Sequence, residues 1–162
     1  MYRIIAIAAL AVILHLSAGQ ISFAQTPAQI VKERQDGMEK MWPDFYQAIA
    51  RTLRIDSPDL AFVAATAPKA AEHVKKLATL FPPGTGREAV PTTRAKPEIW
   101  TQRAEFDGAL TAMIDATNAM GAAAKSGDVA KVKAEWTNFA KACGTCHGGP
   151  EKSGGKFRFE EE

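Results

Sequence analysis

A chain of 162 residues, 46% hydrophobic and 23% charged, is long enough for one domain with a real core and too short for two. Its formal net charge is only +2, which gives no reason to expect nucleic acid or an anionic membrane as partner.

Residues 1–24 carry one early basic residue, Arg3, then an apolar run over 4–16 and a small-residue approach, Ser22-Phe23-Ala24. That pattern is a secretory signal peptide over 1–24, cleaved between Ala24 and Gln25. The competing reading is an uncleaved membrane anchor, but the run falls short of the ~20 residues that a span needs. Cleavage leaves a single domain over 25–162, removes one positive charge with Arg3, and takes His15 out of any site. The expected location is the periplasm.

In the exported part, apolar or small residues recur at Ile30, Gly37, Met38, Met41, Phe45, Ile49 and Leu53, a helical stripe. Pro43 interrupts it. Proline has no amide to bond back to Glu39, so the helix is expected to kink or restart near Trp42. Ser57 and Pro58 read as an N-cap and first helical position, with a short turn through Ala65. Pro68 is then expected to open a second helix with Ala70, Val74, Leu77 and Leu80 on one face. Residues 81–97 hold several prolines and glycines together with Arg87, Arg94 and Lys96, the composition of an ordered crossover loop.

Pro97 marks the start of the cleanest helical pattern, with Ile99, Phe106, Leu110, Met113, Thr117, Met120 and Ala124 at three-four spacing. Gly127 ends it and Asp128 caps the next, a turn short enough to require an antiparallel neighbour. The last helix keeps Val129, Val132, Trp136, Phe139, Cys143, Cys146 and His147 on one stripe and stops at Gly148-Gly149-Pro150. With no alternating strand pattern, the expected fold is all-α, an antiparallel four-helix bundle.

Cys143-Gly144-Thr145-Cys146-His147 gives this pattern its chemistry. Positions i, i+3 and i+4 share a helix face, so both thiols and the imidazole project from one side. Two thiols so placed can add across the vinyl groups of a haem while the imidazole reaches the iron, and C-x-x-C-H is therefore read as covalent attachment of one haem c. The alternatives are weaker. A redox dithiol normally follows a strand in a βαβ pattern, and a zinc site would need a fourth ligand that His73, in an unrelated segment, does not supply. Export agrees with the haem reading, because bacteria attach haem covalently outside the inner membrane. Trp136 and Phe139, just before the motif, are candidate haem packing.

A haem motif at the end of the last of four helices resembles the class II cytochromes c, the cytochrome c′ family. The matching stretches are Arg34-Gln35 with Met38, Leu80-Phe81-Pro82-Pro83-Gly84-Thr85, Lys96-Pro97-Glu98-Ile99-Trp100, the Gly127-Asp128 turn and the haem motif itself. The resemblance implies that Met38 faces the iron opposite His147 and, as in low-spin members, closes the sixth position, with Met41 left to the core. It implies Arg34 as a partner of the haem propionates. It also implies an aromatic-arginine pair near the outer nitrogen of His147, for which Phe157-Arg158 is the candidate, displaced by the glycine-rich stretch over 148–156.

The function expected from the sequence is thus an exported monohaem cytochrome, not an enzyme, that passes single electrons to periplasmic or membrane-bound redox partners. The alternative is a five-coordinate cytochrome c′ that binds nitric oxide or carbon monoxide at an open distal site. The resemblance further implies a homodimer through the first two helices.

Overall fold

A computed structural model describes residues 25–148 and 154–159. The signal peptide expected over 1–24, and Gly149-Pro150 of the expected helix stop, lie outside the described residues. Helices follow one another as α1 (Pro27–Met41), a π-helical segment (Trp42–Gln47), α2 (Ala48–Leu53), α3 (Leu60–Ala78), α4 (Glu98–Thr101), α5 (Arg103–Lys125) and α6 (Val129–His147). The first three run on as one arm of a four-helix bundle. Among the described residues there is no strand, only an isolated bridge between Ala95 and Arg158, and no helix is long and apolar enough to cross a membrane.

Thr26 opens α1 with a capping box: its hydroxyl accepts from the Gln29 amide while the Gln29 side chain reaches back to the Thr26 amide. Pro43 has the expected effect in a specific form. The amide it lacks breaks the four-residue ladder, and the chain widens into a six-residue π turn before returning to α geometry at Ala48.

Three expected boundaries differ. The cap of α3 is Asp59, whose carboxylate accepts from the Phe62 amide at 2.9 Å, and not Ser57. Pro68 does not open a helix but sits inside α3. An interior proline costs roughly 3 kcal/mol, here offset by burial of Val63, Ala67, Ala70, Ala71, Val74 and Leu77 along the same helix. Pro68→Ala should therefore raise stability by about 1 to 2 kcal/mol, the restored amide bond outweighing lost ring contacts and a more flexible unfolded chain; urea unfolding measures it. The third difference is the start of α5. Gln102, at φ −120° and ψ 47°, breaks the helix expected from Pro97 into α4 and α5. Just before that break the Trp100 indole donates to the carbonyls of Phe81 and Pro82 at 3.2 and 3.0 Å, tying α4 to the crossover loop.

The remaining pattern is as the spacing predicts. Ile99, Phe106, Leu110, Met113, Thr117, Met120 and Ala124 are all buried. Gly127 turns the chain at φ 78°, and the Asp128 carboxylate caps α6 by accepting from the Lys131 amide at 2.9 Å. α5 packs against both α3 and α6. The core divides into two clusters. One, built on Ile49, Leu53, Val63, Met120 and Val132, fills the end of the bundle near the Gly127 turn. The other, built on Val74, Phe81, Ile99, Phe106, Leu110, Phe139 and Phe157, fills the opposite end, where Met38, Cys143 and Cys146 pack against it.

Candidate functional site

The second cluster surrounds a cavity of about 560 Å³, lined from α1 by Arg34, Met38 and Met41 and from α6 by Cys143, Cys146 and His147. The candidate haem-binding and iron-ligating residues Arg34, Met38, Cys143, Cys146 and His147 thus converge on one space. Their convergence depends on helix geometry at two places: a four-residue step from Arg34 to Met38 on α1, and the i, i+3, i+4 set on α6. Apolar side chains close the rest, chiefly Val74, Leu77, Phe81, Ile99, Phe106, Leu110 and Met113. Two anchoring thiols, an imidazole and a largely apolar enclosure are what a covalently held haem needs, and the cavity lies within the range of small-ligand sites.

The protonation states suit that use. Burial pushes the Cys143 thiol up to about 11, with the neighbouring Cys146 adding to it, and burial alone takes Cys146 up to about 11. A dithiol redox centre works through a thiolate of depressed pKa, so this pair is badly tuned for thiol exchange. Burial also lowers the His147 pKa, and the positive charges of Arg158 and Arg94 add to the effect. The imidazole is then neutral at pH 7, with a lone pair available to a metal.

Arg34, on the cavity wall, also holds the crossover loop. It is only 4% exposed, and its guanidinium donates to the Leu80 carbonyl, the Thr85 hydroxyl and carbonyl, and the Thr93 hydroxyl. It also lies 4.5 Å over the Phe81 ring. Burial lowers its pKa to about 10, which leaves it charged at neutral pH. Both terminal nitrogens thus tie α1 to Leu80 and to the crossover loop that follows it, and Arg34 anchors that loop beside the cavity it lines.

Other side chains were placed only partly by their spacing. Met41 packs against the core as expected, yet it also lines the cavity. Trp136 and Phe139 are absent from the lining; Phe139 is 1% exposed in the core, and Trp136 packs at a tilt against Tyr46, with ring centroids 4.8 Å apart. The aromatic lining comes instead from Phe81, Phe106, Phe157 and Trp42. Phe157 and Arg158 do fold back toward His147. Phe157 is 3% exposed, and Arg158 lies on the cavity wall with Arg94 of the crossover loop. No periodic pattern could have announced Arg94, which sits in a loop.

A family profile described as Cytochrome C′ matches residues 29–149. A cytochrome c′ of Rubrivivax gelatinosus is 31% identical over 124 residues, which cover 76% of this chain and 94% of the relative. One from Rhodospirillum rubrum is 30% identical over 154 residues, covering 91% and 96%. Among solved structures, a reduced mutant of cytochrome c′ from Alcaligenes xylosoxidans aligns with a TM-score of 0.67 at 26% identity, over 81% of this chain and 98% of that one. A nitrosyl complex of another variant of the same protein aligns with a TM-score of 0.67 at 26% identity, over 77% and 96%.

Proposed function

This chain belongs to the cytochrome c′ family, whose members are carriers of covalently attached haem c, and we propose that it takes up a diatomic gas, nitric oxide or carbon monoxide, in the cavity that Met38 lines. The observation that supports this most is the meeting of Cys143, Cys146 and His147 with an apolar wall around one cavity. Similar solved structures include nitric oxide complexes, which favours gas binding over electron carriage. Bound here, haem c would supply an iron able to coordinate a diatomic ligand and to change oxidation state.

The residues of the chain have distinct parts in this. Cys143 and Cys146 would fix the macrocycle through thioethers, and His147, kept neutral by its surroundings, would hold the iron. Val74, Leu77, Phe106, Leu110 and Met113 exclude water, which favours a neutral ligand such as nitric oxide or carbon monoxide over a charged one. Residence in the periplasm, supported by the signal pattern over 1–24, belongs to the same proposal.

One observation favours a second reading. A thioether, not a hydrocarbon, stands at position 38 on the cavity wall, and sulfur from Met38 can serve as a sixth ligand. The protein would then exchange single electrons with periplasmic or membrane-bound redox partners.

Absorption spectra in both oxidation states separate the two. On the gas-binding reading the iron is high spin in each state, carbon monoxide binds the reduced form readily, and Met38→Leu changes little. If Met38 is bound, the oxidised protein is low spin with a weak near-infrared sulfur-to-iron band. Met38→Leu, which conserves volume but has no lone pair to donate, should then abolish that band and speed carbon monoxide binding many-fold.

A further inference from the structure

The family match stops at Gly149, yet the chain beyond it makes a specific set of contacts with the end of α6. The Phe157 amide donates to the Cys146 carbonyl at 3.4 Å. That carbonyl is one of the last four of the helix, which have no partner within it. The segment is held on its other side by the crossover loop. Lys96 donates its amide to the Phe157 carbonyl at 3.1 Å and its ammonium to the Gly155 carbonyl at 2.7 Å, and the Phe159 amide donates to the Arg94 carbonyl at 2.8 Å. A third attachment is apolar: the Phe157 ring packs edge-on against Phe106 of α5, with centroids 5.3 Å apart.

Gly155 shows how close the approach is. A Cβ there would lie 2.3 Å from the Gly148 nitrogen, 2.5 Å from the Cys146 oxygen and 2.6 Å from the His147 carbonyl carbon. These are backbone atoms and cannot swing aside as a flexible side chain would. Only glycine fits, and the atoms that exclude anything larger belong to the peptides on either side of His147.

We propose that residues 154–159 form a strap that positions His147, fixing the backbone that carries the imidazole and thereby how firmly the imidazole bonds the iron. The inference rests on the haem reading above. It assigns a positioning role to Gly155 and Phe157, which act through His147. A merely structural tail would add stability wherever it packed; this one bears directly on the ligand's own peptide units.

The test uses the full-length holoprotein in a Met38→Leu background, where the sixth position is open on either reading of the site. Covalent haem content is measured first, and then the iron–imidazole stretching line by resonance Raman and the midpoint potential. Gly155→Ala and Phe157→Ala should shift and broaden the line and move the potential, and Phe157→Leu should recover part of both. Val132→Ala, a deletion in the other core cluster, should lower the melting temperature and leave line and potential unmoved. Strap variants that lose melting temperature like Val132→Ala while keeping the parent's line and potential would overturn the proposal. Should Phe157→Ala fail to accumulate, Gly155→Ala decides on the same criteria. A parent without covalent haem would instead overturn the haem reading beneath it.

Discussion

Protein carrying Cys143→Ser and Cys146→Ser together is expected to retain no covalently bound haem, so that acid-acetone extraction removes all of its colour. The sequence contains two cysteines, and both line the cavity, so no third thiol can form a thioether in their place. Either single variant should keep one attachment and accumulate at reduced yield. Loss of both anchors also changes the thermodynamics of the holoprotein: haem held by noncovalent contacts alone contributes stability that grows with the logarithm of its free concentration above Kd. The double variant should accordingly melt lower, with a melting temperature that depends on added haem. Normal amounts of extraction-resistant haem in the double variant would contradict the assignment. Thiol exchange offers no rescue of a dithiol reading, because burial holds both thiols near 11, far from the thiolate range that such chemistry uses.

The parts of this fold that could be read from the sequence are those where one local signal acts without a competitor. The stripe from Phe106 to Ala124 is continuous, and Gly127 followed by Asp128 marks a turn with an unambiguous start and stop. Where two signals compete, the sequence chooses badly. Ser57 and Asp59 are both able caps two residues apart, and tertiary packing selects Asp59. Pro68 is a local stop that packing of α3 overrides. Gln102 leaves the helical region beside a Trp100 side chain that reaches back to a loop, a long-range contact with no local signature. The site divides in the same way. Cys143, Cys146 and His147 were legible because their spacing is itself the chemistry, whereas Met38 came only from a family resemblance. Arg94 and Phe81 reach the cavity from irregular backbone, where no period exists to read.

Arg34 is the clearest case of a residue whose importance lies in contacts distant in sequence, and its removal should be among the most destabilising single changes in the chain. On α1 it is buried to 4% exposure, and it bonds to Leu80, Thr85 and Thr93 in the crossover loop. Arg34→Ala would strand two carbonyls and leave the Thr93 hydroxyl without this partner, while also exposing the Phe81 ring that the guanidinium covers. A buried acceptor left unpaired costs about 1 to 3 kcal/mol, and water can enter to relieve part of the penalty, so a loss of about 3 to 5 kcal/mol is expected. Arg34→Lys keeps the charge but offers a single nitrogen, which cannot reach oxygens spread over three residues. It should recover less than half of the loss. Denaturant unfolding gives the magnitude, and amide hydrogen exchange locates it: protection should fall first over the loop around Thr85 to Thr93. The same loop supplies Arg94 and Lys96 to residues 154–159, so loosening it should also loosen the strap behind His147. An Arg34→Ala protein within about 1 kcal/mol of wild type, with loop protection intact, would show that water replaces the guanidinium and that the loop is held by its other contacts.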